Sequence, residues 1–289
     1  MMTPCDSIKT IRSSFSALTV AIALMPLSVS AGDHESKNAA SYSGTTDKTG
    51  YTLFNPTPRE LWRELSPDRP DATESPLTVD AGAYVIEASF FDWRHDGGDD
   101  TYTFMSTNFK VGLTNRIDLQ TVFDTYAFEN GANNADGFGD VQFRLKYNVW
   151  GKDDGGSAFA IFPFVKVPTG TELSNGKFEG GLILPFSMDL NDRVGLGIMG
   201  EIDYVYDDVA NDYDVEFLHS VVLGFDLTAQ IGLFTEYIGI TGPSPYQAYA
   251  AGGLTFSISE DLVFDCGTQL GLNSDSEEIG AFCGFTKRF

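Results

Sequence analysis

The sequence predicts an all-β protein, an antiparallel transmembrane β-barrel of about 12 strands, preceded by an irregular segment rich in proline and arginine. Three observations predict it. Apolar and polar side chains alternate with period two from residue 83 onward, the connections alternate between tight and long, and an aromatic residue, Phe289, closes the last strand.

Residues 1–31 read as a signal peptide. Lys9 and Arg12 precede an apolar run from Ala17 to Met25, and Val29 and Ala31 fill the small-residue positions of a cleavage site before Gly32. The run is too short to cross a bilayer as a helix, so the expected course is export, to the bacterial outer membrane. Removing this leader, with Asp6, Lys9 and Arg12, makes the formal charge one unit more negative than the −23 of the whole chain. So acidic a chain lacks the basic surface that neutralises phosphates, which excludes nucleic acid as a partner. No later stretch has the ~18 apolar residues of a transmembrane helix. After the leader, Cys266 and Cys283 are the cysteines that remain, which is no disulfide scaffold.

Residues 32–50 are small and polar and read as a flexible segment. Residues 51–82 form an N-terminal segment on the periplasmic side. Within it "PRELWREL" predicts about two helical turns with Pro58 at the first position, and Pro67, Pro70 and Pro76 forbid a regular continuation. Three of the eight arginines that follow the leader, Arg59, Arg63 and Arg69, stand in this one stretch.

The barrel is expected over 83–289. In "GDVQFRLKYNVW" (139–150), Val141, Phe143, Leu145, Tyr147 and Val149 fall on one face and Asp140, Gln142, Arg144, Lys146 and Asn148 on the other. Unpaired charges and amides cannot enter a dry core, so one face meets lipid and the other water. The same sorting recurs near 83–94, 102–113, 117–127, 157–168, 178–190, 193–206, 213–227, 229–240, 246–259, 262–273 and 279–289. Most of these have the ~9–11 residues that a tilted membrane strand needs. The connections near 114–116, 191–192, 228–229 and 259–261 are tight. Those at 95–100, 129–137, 170–177, 207–214 and 273–278 are longer and mostly acidic. Short turns at one end and long loops at the other fit an even-stranded barrel with both ends in the periplasm. "GKDDGG" (151–156) is a long connection on the short-turn side. A β-sandwich would also sort its faces, but does not need 12 strands of nearly one length. The last strand, "IGAFCGFTKRF", puts Ile279, Ala281, Cys283, Phe285 and Phe289 on one face, with Lys287 the exception.

"FNPTPRELWRELSPDRPDATESPLTVDAG" (54–82), "FKVGLTNRIDLQTVFD" (109–124), "GFGDVQFRLKYNVWG" (137–151), "FAIFPFVKVPT" (159–169) and "EGGLILPFSMDL" (179–190) resemble the outer-membrane protein family linked to meta-pathway phenol degradation. The resemblance covers nearly all of 54–289, and the proline–arginine stretch is its most specific part. Members are generally described as transporters. The resemblance implies an outer-membrane barrel passing hydrophobic or aromatic compounds, and no catalytic residues. The terminal Phe289 resembles the signal that the barrel assembly machinery reads. Outer-membrane lipid and lipopolysaccharide, that machinery and a small-molecule solute are the expected partners.

Parity assigns the lumen. Lys110, Arg144, Lys146 and Lys166 are its basic members and Glu179, Glu201, Asp203, Glu216, Glu236 and Asp265 its acidic ones. Opposite signs on opposite walls either set up a transverse field in a narrow pore or pair to fill a closed lumen. Phe162, Phe164, Phe234, Tyr249 and Phe282 also point inward, either to stack an aromatic solute or to narrow the barrel. Excess lumen carboxylates are expected to draw residues 54–76 into or across the periplasmic mouth, with Arg59, Arg63 and Arg69 on lumen acids and Trp62 as apolar anchor. The alternative is a periplasmic tail.

The expected function is a passive channel or transporter. The alternatives are a structural barrel with a filled lumen and an outer-membrane hydrolase. The last is disfavoured because His219 and Ser220 are adjacent and point to opposite faces, which leaves His95 with Asp96 and Asp99 as the remaining candidate. No cofactor is implied. The acidic loop 207–214 offers oxygens of the calcium-binding type, but such runs are usually solvated, and no metal site is assigned. Cys266 and Cys283 share the lipid-facing parity on neighbouring strands, offset by about one residue pair, and are expected as free thiols.

Overall fold

The structure is a computed structural model that describes residues 47–289, except 132–133, 152, 154–155, 170 and 208–209. The signal peptide and most of the segment 32–50 lie outside the described residues.

Twelve long strands and one short one follow in order: β1 Tyr84–Asp96, β2 Asp99–Thr114, β3 Ile117–Asn130, β4 Ala135–Gly137, β5 Val141–Trp150, β6 Ser157–Val167 and β7 Glu179–Asn191. They continue with β8 Val194–Asp207, β9 Asp212–Asp226, β10 Ile231–Thr241, β11 Gln247–Ser259, β12 Leu262–Gly271 and β13 Ile279–Arg288. Each long strand pairs antiparallel with the next, and β13 returns to β1 in a ladder running from Val85 opposite Arg288 to His95 opposite Ile279. The sheet therefore closes on itself, which leaves no row of unpaired backbone groups facing lipid.

The short β4 departs from the expected boundaries. β3 outlasts its pairing with β5, which ends at Val122 opposite Gln142, and its last residues pair with β4 instead. Gly137, at φ +151°, turns the chain there, and Gly139 sits tightly against Asp124, bonding to that residue's carbonyl at 3.2 Å.

Burial is inverted relative to a water-soluble fold. On β5, Lys146 is 1 % exposed while its neighbours Leu145 and Tyr147 are 41 % and 42 % exposed. Gln120, Asn148 and Glu87 are likewise buried, and Ile198, Ile202, Val221 and Leu233 face outward. An apolar outer band around a polar interior is the arrangement that a bilayer stabilises, so the chain is a transmembrane barrel of the outer-membrane type. The start of β1 and the end of β13 lie together at the short-turn end, where Tyr84 and Phe289 exchange backbone hydrogen bonds; in barrels of this class that end is periplasmic.

The predicted two-turn helix is a single 3-10 turn, Arg59–Leu61, preceded by Pro58. Trp62 is already extended at φ −65°, ψ 143°, and its indole N–H donates to the Thr57 carbonyl at 2.9 Å. The next residue is drawn away from any helical course, because Arg63 N–H donates to Asp80 at 2.8 Å. Cys266 and Cys283 are directly opposite in the β12–β13 register rather than offset, and both are free thiols.

Candidate functional site

The site is built by the proline-rich segment meeting the inward faces of the strands. No regular structure holds residues 62–82, so their backbone groups need partners, and the barrel wall supplies many of them. Asn148 donates to the Pro76 carbonyl at 2.9 Å, Asp118 accepts the Val79 N–H at 2.9 Å, and Lys146 reaches the Leu77 carbonyl at 3.2 Å.

At its centre is Asp68. Its carboxylate binds the ammonium groups of both Lys110 (β2) and Lys146 (β5), the latter at 2.7 Å, and accepts Gln120 of β3 at 3.2 Å. Glu87 of β1 completes the cluster, 2.5 Å from Lys110 and accepting the Asp68 backbone N–H at 3.0 Å. Asp68 and both lysines are buried. Burial alone would raise the Asp68 pKa, but the two ammonium groups outweigh it and hold the carboxyl well below the usual carboxylate range.

Arg69 follows directly. Its guanidinium donates to Asp265 of β12 at 2.7 and 3.2 Å and to Ser89 of β1 at 2.6 Å. It lies over Gly284 of β13, where any Cβ would collide with it.

The segment then reaches the middle of the barrel. Glu236, at the centre of β10, accepts the Ala72 N–H at 2.9 Å, the Thr73 N–H at 2.8 Å and the Thr73 hydroxyl at 2.6 Å. The Thr73 hydroxyl also meets that of Ser220 on β9 at 2.6 Å, and the Glu74 N–H points to the Met199 sulfur of β8 at 3.3 Å. Gly197 gives this tip its room, since a Cβ there would press on Val222 and Thr73. The Glu74 carboxylate pairs with Arg144 of β5.

The other two arginines do not reach lumen acids. Arg59 pairs with Asp261 in the β11–β12 turn, and Arg63 with Asp80 of its own segment and Asp153 of the β5–β6 connection, each at 3.3 Å. Lys48 joins that group, 3.0 Å from Asp153, so the structured part begins inside the stretch expected to be flexible. Trp62 is not an apolar anchor in the lumen. Its ring lies between two guanidiniums, Arg59 at 4.4 Å and Arg288 at 5.0 Å, at the short-turn end. A guanidinium over an indole face is attracted by the ring's quadrupole, and here two of them, both also paired with Asp261, share the one ring.

The predicted lumen residues sort by their partners. Lys110, Lys146, Arg144 and Asp265 are engaged by the N-terminal segment, as is Glu236. Lys166 pairs with Glu179 on the adjacent strand and stands 3.7 Å from Asp140. Glu201, Asp203 and Glu216 have no cation within ion-pair distance among the described residues. Phe162 and Phe164 pack with Ala160, Ile183 and Met199, while Phe234, Tyr249 and Phe282 pack with Val222, Ile238 and Ala251. Leu218 touches both sets and joins them into one inward apolar strip. Between that strip and the segment lies a cavity of about 830 Å³, lined by Arg69, Asp71, Thr73 and Glu74 on one side and Val222 and Phe234 on the other.

His95 stands at the opposite, long-loop rim, 3.0 Å from Asp100 and 3.8 Å from Glu278. His219 is on the outer face beside Tyr246, while Ser220 meets Thr73 inside. The acidic loop 207–214 falls partly outside the described residues.

Asp68, Glu74, Glu87, Gln120, Asn148 and Ser220 are absent from the site that parity and arginine content predict. Their signal was present, because Glu87, Gln120 and Asn148 share the watery parity with polar neighbours, and Asp68 and Glu74 stand among the same prolines as the arginines.

A family model described as "Putative MetA-pathway of phenol degradation" matches residues 67–289. No curated protein sequence matches the chain. Among solved structures, the COG4313 outer membrane channel from Pseudomonas putida F1 is similar at 12 % identity, over 72 % of this chain and 93 % of that one, with a TM-score of 0.51. At that identity the likeness is one of fold. The P. putida toluene transporter TodX matches at 9 % identity over 72 % of this chain and 89 % of its own, with a TM-score of 0.38, too distant to carry an argument.

Proposed function

The chain belongs to the family so described, and on that premise we propose that it is a passive outer-membrane channel for small apolar or aromatic solutes, closed by its own residues 54–82. One observation carries the reading. The inward apolar strip runs on to Val222 and Phe234, which also line the 830 Å³ cavity, and the tip Ala72–Glu74 stands where strip and cavity meet. A filled structural barrel has no need of an apolar strip beside a cavity. Aromatic side chains such as Phe164 and Phe282 offer a solute offset or edge-on ring contacts. Release of the tip would join the upper lumen to the periplasmic cavity without opening the wall.

The reading is tested at Glu236. Its three bonds to the tip are charge-assisted, worth about 1.5–3 kcal/mol each when lost, so Glu236→Ala is expected to raise open time roughly tenfold or more in bilayer recordings. Unchanged open time in a folded Glu236→Ala barrel would remove the tip from the account.

Protonation should bias the same tip. Burial pushes Glu74 up, Asp68 adds to the rise, and Arg144, Lys146 and Lys110 offset part of it, leaving a pKa of about 7 against an ordinary 4.5. Asp71, on the same segment, is also raised by burial and by Glu236, and Glu201 faces Glu74 from β8. A docked tip thus binds the Glu74 proton more tightly than a released one. That contribution is fully present below pH 4.5 and is lost as pH rises through about 7. Asp68 has the opposite sign, but its depressed pKa keeps its contribution intact throughout that window. Openings are expected to be more frequent at pH 8 than at pH 5.5, and Glu74→Gln should flatten the profile. A flat wild-type profile would count against a tip held in this way.

A further inference from the structure

We propose that Cys266 and Cys283 are a modification site: the chain is oxidised there on its way to the outer membrane, and a cross-strand disulfide staples β12 to β13.

The structure holds the pair in its thiol form, on the lipid-facing side of the last hairpin, with Cys266 of β12 directly opposite Cys283 of β13. How closely two opposite side chains approach depends on the phase of the ladder. At one end of this ladder the Gly271 N–H donates to the Glu278 carbonyl at 3.1 Å, and at the other the Arg288 N–H donates to the Asp261 carbonyl at 2.9 Å. Hydrogen-bonded pairs alternate with non-hydrogen-bonded ones, so counting in from either end makes Cys266 with Cys283 a non-hydrogen-bonded pair. Such pairs are the closer kind, with Cα atoms about 4.5 Å apart, within the roughly 4.4–6.8 Å that a disulfide spans. Neither thiol has a rival partner in the chain. The third cysteine of the sequence, Cys5, lies in the expected leader.

The reaction is a thiol–disulfide exchange with a disulfide-bearing protein oxidant of the periplasm, a compartment in which such bonds form and persist. The thiolate of one cysteine attacks a sulfur of the oxidant, forming a mixed disulfide and releasing one oxidant thiolate. The second cysteine then attacks the first, forming the Cys266–Cys283 bond and releasing the other oxidant thiolate. Two electrons and the two thiol protons pass to the oxidant, which leaves as a dithiol. The lipid-facing position sets the order of events. A thiolate is the attacking species, and an ion does not enter hydrocarbon, so neither oxidant nor soluble reductant acts once the hairpin is in the membrane. The bond therefore forms before insertion, and the bilayer preserves it afterwards. Its effect falls on β13, the strand that closes the barrel against β1. A bond to β12 fixes the register of that strand before closure and restricts the unfolded hairpin.

The test is the intact mass of the protein extracted from outer membranes and denatured in excess maleimide. No maleimide is expected on the unreduced chain, and one on each cysteine when dithiothreitol follows denaturation. Dithiothreitol applied to the folded barrel, and removed before denaturation, should again leave both cysteines unlabelled. Both cysteines labelled on the unreduced chain, or a disulfide-linked dimer in place of the internal bond, overturns the proposal. The double variant C266S/C283S isolates the staple. Its midpoint of heat-modifiable mobility is expected about 5–10 °C below that of the oxidised wild type, and level with wild type refolded as the dithiol. Equal midpoints for the oxidised and dithiol wild-type barrels would overturn the staple, whatever the variant does.

Discussion

Asp68→Asn is expected to free the N-terminal segment. The substitution leaves Lys110 and Lys146, both buried, with a neutral amide between them; Lys110 keeps Glu87, while Lys146 has no other carboxylate within ion-pair distance among the described residues. Breaking a buried ion cluster by removing one partner costs about 3–5 kcal/mol, because the surviving charges stay out of water uncompensated. That is enough to shift docking by two orders of magnitude or more. Residues 47–82 should become sensitive to protease added from the periplasmic side, and conductance should rise. The compensating variant D68N/K110M/K146M removes the stranded charges and should recover part of the protection. Protease resistance undiminished in Asp68→Asn would mean that the hydrogen bonds of residues 72–82 hold the segment without the cluster.

The second large effect is expected at the seam. In a closed barrel one joint, here β1 with β13, is formed by strands from opposite ends of the chain, so its loop-closure entropy is the largest. Arg69 spans that joint, bonding Ser89 on one side and Asp265 on the other while lying across Gly284 between them. Arg69→Ala and Asp265→Ala should each lower barrel stability by about 3 kcal/mol, given a pair that is largely buried on both sides. The double variant should cost little more than either single one, with a coupling of about 1–3 kcal/mol. Heat-modifiable mobility against temperature reads all four proteins. Additive effects would show that the two side chains act independently and that the seam needs no clamp.

The barrel was legible because its signal is local and repeated. Lys146 and Asn148 inward with Leu145 and Tyr147 outward follow from period two alone, and the same rule sorts Glu236, Asp265 and Phe162 correctly to the buried face. The departures have local causes that hydrophobic periodicity does not register, such as the positive φ of Gly137 that creates β4. The N-terminal segment was legible only in part. It has no period, and its conformation is decided by partners far along the chain: Asp68 meets a lysine 42 residues away and Arg69 an aspartate 196 away. Charge sign brought an arginine towards lumen acids, and Arg69 with Asp265 is such a pair. The same argument, applied to the arginines alone, overlooked that the lumen's basic wall attracts carboxylates equally. Asp68 and Glu74 answer to that wall, while Arg59 and Arg63 find closer acids at the short-turn end. Trp62 followed a cation–π preference that hydrophobicity does not encode.

The central claim is that the segment closes a barrel that is otherwise a channel. Bilayer conductance of the chain from residue 32 onward, recorded beside a version that also lacks residues 33–76, tests it most directly. The account predicts large, steady steps from the truncated protein and small or rare ones from the full chain. Equal conductance in the two, or silence from a truncated barrel that is demonstrably folded, would contradict it.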